Sequence, residues 1–146
     1  MQPNQLIEAY GVSSNSQLKA FAETTGLVVN EINYAEDISI DRGGAYIINL
    51  GDVERQGTHW TALWIEDREA FYFDSFGVGP EDVLVEKMRQ YGIHTWWYNR
   101  GYEFQRYEEE LCGLWVLMLF HFMRINTDLT IVERFKKMAE RYSDTL

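Results

Sequence analysis

His59, Asp74, Gln105 and Cys112 follow one another in that order along the chain, and together their types suffice for acyl transfer through a thiol. A cysteine attacks a carbonyl as its thiolate. An imidazole takes the proton and later returns it, and a carboxylate fixes the tautomer and orientation of that imidazole. An amide donor helps to hold the oxyanion that forms. Each residue alone has a plainer reading. A free cysteine is usually a small buried hydrophobe, an aspartate near a strand end is ordinary turn chemistry, and a glutamine in a polar stretch means little. The chemistry therefore depends on elements that bring the residues together.

Cys112, the single cysteine, lies near the head of LCGLWVLMLFHFM, Leu111–Met123. From Leu114 onward nearly every residue is apolar, and no polar face recurs at the helical period, which predicts a helix buried all round. The run falls short of the roughly 20 residues that a bilayer requires. Glu108, Glu109 and Glu110 stand just ahead of it, so the buried helix is expected to begin near Cys112. A thiol in that first turn meets unpaired backbone N–H groups and the positive end of the helix dipole. Both favour the thiolate.

The imidazole and the carboxylate come from a hairpin. THWTALWIE, 58–66, and AFYFDSFG, 70–77, read as two strands around a tight turn at Asp67 and Arg68. A turn centred between those residues sets Thr61 opposite Asp74 and His59 opposite Phe76. His59 and Asp74 then project from one face as diagonal neighbours, within about 8 Å between backbones and closer at the side chains. A three-residue turn would put them on opposite faces. An acidic residue in an apolar strand is costly unless partnered. The other histidines fit the role less well. His121 shares the helix with Cys112, about 13.5 Å along its axis and half a turn round, and reads as a core histidine. His94 begins a strand with no acidic neighbour and reads as structural or surface. Gln105 stands seven residues before Cys112. From there its amide can join the Cys112 backbone N–H as an oxyanion donor.

The remaining chain frames these pieces. Its 146 residues predict one domain, 1–146, and 46% hydrophobic content supplies a large core. A lone cysteine forms no internal disulfide and points to a reducing compartment. MQPNQLIEAYG lacks the basic region and apolar run of a signal peptide. The expectation is an intracellular or particle-packaged protein, neither secreted nor bound to membrane. A net charge of −10 repels nucleic acid and acidic membranes over most of the surface. Helices are expected at 3–10, where Pro3 starts and Gly11 stops it, and at 16–26, capped by Asn15 or Ser16 and stopped by Gly26. A strand at 27–32, an irregular connection at 34–44, a buried strand at 45–50 and a polar loop at 51–57 follow. Pro80 opens a helix that Gly92 closes, a strand covers 93–99, and Asp128 caps a last helix whose Arg134, Lys136, Lys137 and Arg141 read as a solvated face. Gly43–Gly44 and Gly77–Gly79 read as turns. The pattern of helices, strands and helices predicts an α+β fold.

GTHWTALW, YFDSFG, YNRGYEFQ and LCGLW, taken jointly, resemble the adenain-type cysteine proteases of viruses and virus-like mobile elements, relatives of the SUMO-specific proteases. The resemblance runs from about Gly44 to Arg124. It implies a papain-like/adenain-like fold, in which a central buried helix bearing the nucleophile packs on a mixed β-sheet. It implies Cys112 as nucleophile, His59 as base, Asp74 as its orienting partner and Gln105 in the oxyanion hole. Trp60 would pack beside the histidine and shape the cleft, with plain strand core as the equal alternative. Gly113 would stand where a side chain would crowd the substrate. Leu111 occupies a position where many SUMO-specific members have aspartate, which points to the viral branch. The implied activity is cleavage after glycine, at Gly-Gly or Gly-Xaa-Gly sites of capsid and core precursors, in the host cell or virion, with no metal and no resident cofactor. The implied partner is a protein or peptide substrate. Adenoviral members also use an activating peptide and DNA, but the charge of this chain speaks against DNA, and its one cysteine leaves none to tether a peptide. The same scaffold serves ubiquitin-like-modifier isopeptidases and acyltransferases. A catalytically silent binding module is the remaining alternative, with Trp96, Trp97, Tyr98 and Tyr102 as its recognition surface.

Overall fold

The computed structural model describes Ala20, residues 22–50, 59–104 and 112–143, with the backbone alone for Cys112. The expected helix at 3–10, the caps at Asn15 and Ser16, the loop at 51–57 and Gln105 lie outside the described residues.

Five strands form one sheet in the order β1 (Val29–Tyr34), β2 (Gly44–Asn49), β3 (Trp60–Glu66), β4 (Glu69–Phe73) and β5 (Thr95–Tyr98). The two inner pairings are antiparallel and the two outer ones parallel, so the sheet is mixed. Three helices follow the hairpin: α1 (Asp82–Tyr91), α2 (Cys112–Arg124) and α3 (Ile131–Tyr142). The architecture is α+β, as the order of elements predicted.

Both faces of the sheet are covered. Ala45 and Ile47 of β2, Trp60 and Ala62 of β3, and Phe71 and Phe73 of β4 pack with α2 and α3. Their alternates Tyr46, Ile48, Leu63, Ile65, Ala70 and Tyr72 pack with Leu84 and Met88 of α1, and with Ala35 and Ile38 from the β1–β2 connection. Coverage on both sides explains why these strands read as near-continuous apolar runs rather than as alternation. The same principle explains α2. It packs on β3 below and α3 beside it, and every residue from Leu114 to Phe120 is buried.

The hairpin turn is the two-residue kind. Asp67 and Arg68 take φ of 51° and 67°, the left-handed pair that matches strand twist. Ala62 therefore faces Phe73, and Glu66 faces Glu69. This is the register expected from the sequence. β4 is shorter than expected, however. It ends at Phe73, and the chain turns at once, with the Gly77 N–H donating to the Asp74 carbonyl at 2.7 Å.

Two expectations at the C-terminal helix need correction. Thr130, not Asp128, caps α3: its hydroxyl accepts from the Glu133 N–H, and the Glu133 carboxylate accepts from the Thr130 N–H. The signal was the Thr-x-x-Glu capping box at 130–133. Arg134 does not share the solvated face of Lys136, Lys137 and Arg141. It is 2% exposed and donates through Nη1 and Nη2 to the two Glu66 oxygens at 2.9 and 2.7 Å. It also donates to the carbonyls of Met123 and Leu129. No described helix is long and apolar enough to cross a membrane.

The hydrogen bonds from Arg134 hold the Glu66 carboxyl below the usual carboxylate range. A depressed folded pKa contributes stability above the unfolded value, about 4.3, and that contribution vanishes as pH falls through the folded value. Glu66→Gln is expected to cost about 1–2 kcal/mol in urea unfolding at neutral pH, since hydrogen bonds to a charged group carry the loss and partial exposure limits it. The gap from the unsubstituted chain should narrow steadily in titrations below about pH 4.

Candidate active site

His59 and Asp74 each stand one residue outside a strand, before β3 and after β4 respectively. His59 precedes Trp60, and its backbone is held because the Leu50 N–H donates to its carbonyl at 2.8 Å. Asp74 follows Phe73. Its N–H donates to Asn99 Oδ1 at 3.0 Å, and its carbonyl accepts from Asn99 Nδ2 at 2.6 Å as well as from Gly77. Asp74 Oδ1 accepts the Phe76 N–H at 2.9 Å, an aspartate turn that sets the side-chain rotamer. The same oxygen lies 2.7 Å from His59 Nε2.

The diagonal relation predicted from the hairpin brings the side chains closer than the backbones, and here the two side chains meet directly. Phe76, the residue expected opposite His59, stacks on the imidazole with centroids 4.8 Å apart and planes 18° from parallel. Asp74 is 2% exposed on its side chain, while His59 retains 22%. An ionised carboxylate has only acceptor sites, so Nε2 carries the hydrogen and Nδ1 is the ring nitrogen that can accept a proton. Tyr72, two residues away, is no competing base. Burial foremost, and the nearby Asp74 charge, push its phenol well above the ordinary value, so it stays neutral.

Ring contacts fix the direction of α2. Trp64, toward the far end of β3, meets Phe120 at 6.2 Å. Phe73, paired with Ala62 nearer the start of β3, meets Phe104 at 5.2 Å, and Phe104 meets Trp115 at 5.4 Å. The helix thus runs along β3 from its beginning toward its end. Its first turn, headed by Cys112, faces the end of the sheet from which His59 and Asp74 emerge. The Phe104 N–H also donates to the Ser75 carbonyl at 2.9 Å, holding the chain that leads to α2 against the Asp74 turn. N–H groups of a first helical turn have no intrahelical acceptor, and they add positive potential there.

The other sequence candidates fall out as follows. Gly113 is buried in the first turn of α2. Trp60 is 2% exposed and lies in the core with α2, as the strand-core reading expects. His121 is half-buried against Phe122, and burial lowers its pKa, as a core histidine requires. His94 is exposed, with Nε2 3.4 Å from Arg68 Nη1. Trp97 and Tyr102 pack toward α2, whereas Trp96 and Tyr98 pack toward α1, so the four aromatics do not share one surface. Among the described residues, no three or more His, Cys, Asp or Glu side chains gather as a metal-binding group. Two contributors escaped the sequence. Phe76 was placed opposite His59 but given no role. Asn99, before the turn closed by Gly101, looks like ordinary turn chemistry, and nothing in its neighbours marks it otherwise.

Compared with family models and with curated proteins, the chain matches none.

A thiol at this helix start should react as thiolate below the ordinary cysteine range near pH 8.5. The expected result is a pH profile of iodoacetamide labelling at Cys112 whose midpoint lies below about 8, and which moves up toward about 8.5 in His59→Ala. Labelling profiles identical in the two proteins would separate the thiol from the imidazole.

Proposed function

We propose that the protein is a cysteine endopeptidase acting through Cys112, His59 and Asp74, with Gln105 as an oxyanion donor. The observation that carries this reading is the 2.7 Å contact of His59 Nε2 with a buried Asp74 carboxylate, at the end of the sheet toward which α2 begins. The resemblance of the four motifs to adenain-type proteases supports it, and extends it to cleavage after glycine in Gly-Gly or Gly-Xaa-Gly segments of capsid and core precursors.

The reaction follows from the roles. Nδ1 of His59 takes the thiol proton, and Cys112 Sγ bonds to the carbonyl carbon of the scissile peptide. The oxyanion is met by the Cys112 N–H and the Gln105 amide. Collapse breaks the C–N bond, the imidazolium gives its proton to the leaving amine, and a thioester remains. Water, deprotonated by His59, then attacks the thioester carbon and releases the acid, and the thiol regains its proton. Asp74 keeps the hydrogen on Nε2 throughout and favours the imidazolium. The substrate meets a chain of net charge −10, so cationic segments near the scissile site gain from encounter.

Incubation with peptides containing Gly-Gly should give cleavage after glycine, abolished in Cys112→Ala. Asp74→Asn should lower kcat on the order of 10³-fold or more, because the amide can donate to Nε2 and would move the hydrogen to Nδ1. Equal turnover by the unsubstituted protein and Cys112→Ala would end the proposal. Release of modifier proteins from isopeptide-linked probes, without cleavage of linear peptides, would redirect it to an isopeptidase.

A further inference from the structure

Asn99 follows the last residue of β5 and is wholly buried, 0% exposed. A buried amide must find partners for both of its ends. Its Oδ1 accepts the Asp74 N–H, and its Nδ2 donates to the Asp74 carbonyl. That is the pair of bonds a neighbouring strand would make, supplied by a side chain. It falls where strand pairing has stopped on both sides, since β4 last meets β3 at Phe73 and β5 at Tyr72. Nδ2 also donates to the Tyr102 carbonyl at 2.9 Å, and the Tyr102 N–H donates back to the Asn99 carbonyl at 3.0 Å. Gly101 completes that turn at φ +83°. One side chain therefore ties the Asp74 backbone to the segment that continues through Phe104 toward α2.

We propose that Asn99 is a positioning residue for the reaction: its amide fixes the Asp74 backbone and so holds the carboxylate against His59 Nε2. The kinetic consequence rests on the cysteine-protease reading, whereas the placement of the pair does not. A carboxylate hinged on an unpaired strand end can shift by an ångström or more, and a misplacement of that size in catalytic machinery costs up to about 10²-fold in rate. The Asp74 aspartate turn with Phe76 fixes the side chain relative to its own backbone. Asn99 fixes that backbone relative to the sheet.

The test uses the full chain with Asn99→Ala and Asn99→Ser, the latter keeping a polar side chain should the alanine variant fail to fold. Leu84→Ala, a cavity variant under α1 on the other face of the sheet, controls for lost stability. Two readouts are taken well below each melting temperature. The first is steady-state kinetics on a Gly-Gly peptide. Both Asn99 variants should lose roughly 10- to 100-fold in kcat with KM changed by less than about threefold, while Leu84→Ala keeps kcat. The second is the proton resonance of His59 Nε2–H in a Cys112→Ala background, which should be slow to exchange with water. Both Asn99 variants should broaden it, and Leu84→Ala should not. A folded Asn99 variant with unchanged kcat overturns the proposal, whatever the resonance does. If the unsubstituted protein cleaves nothing, the protease reading fails and the resonance alone decides whether Asn99 holds the pair. A resonance unaltered by substitution then sinks the placement as well.

Discussion

Burying a carboxylate at the end of an apolar strand is the constraint on which the rest of this structure turns. An ion taken out of water without partners is so costly that it either neutralises or is surrounded by donors. The side chain of Asp74 is 2% exposed, and its Oδ1 meets both the Phe76 N–H and His59 Nε2. Its backbone is satisfied separately by Asn99 and Gly77. The turn after β4, the amide that closes β5 and the ring that stacks on Phe76 all converge on that one group. The sequence that follows reinforces the stop at Phe73, since Ser75, Gly77, Gly79 and Pro80 favour a turn and Gly77 takes φ of 79°.

The opposite end of the same strand pair is governed by a second charged contact. Arg134 of α3 reaches Glu66, the last residue of β3, and also the Met123 carbonyl in the last turn of α2. A cation at a helix C-terminus answers both its unpaired carbonyls and its dipole. Apolar packing over Leu114–Phe120 holds α2 against the sheet through a driving force that is itself non-directional. The guanidinium is directional, so it fixes where the helix ends relative to β3. A helix of fixed length whose end is pinned has a determined beginning, and that beginning carries Cys112. The clasp between Arg134 and Glu66 is thus linked mechanically to the position of the first turn, although it lies at the far end of the sheet.

Legibility from sequence followed the physics of each part. The hairpin register was readable because a two-residue turn at Asp67 and Arg68 leaves one pairing, and that pairing put His59 opposite Phe76 and beside Asp74. The buried helix was readable because thirteen residues from Leu111 show no polar face. Arg134 was misread because charge pattern reports what a residue carries, not which face of its helix turns inward. It shares α3 with Ile131, Phe135 and Met138, and that spacing was the overlooked signal. The Thr130 cap was missed for an avoidable reason, since its Glu133 partner stood in the sequence. Asn99 had no such signal. Its partners are a backbone N–H and carbonyl 25 residues away and a carbonyl three residues on, groups that every residue possesses.

The acidic balance of the chain sets a limit on how the proposed thiolate could arise. A net charge of −10 spread over the surface opposes any further negative charge. That opposition acts across solvent, where it is screened beyond about 8 Å at physiological salt. The N–H groups of the first turn of α2 and an imidazolium held by Asp74 would act within a few ångströms, where screening is weak. On the proposed reading, short-range preorganised dipoles would decide the state of the thiol, and the surface charge would decide only which molecules approach it. Raising salt should then alter encounter with charged substrates far more than the reactivity of Cys112 itself. Catalytic chemistry and substrate recruitment would draw on the same electrostatics at two separate length scales, and for that reason an acidic chain can carry an anionic nucleophile.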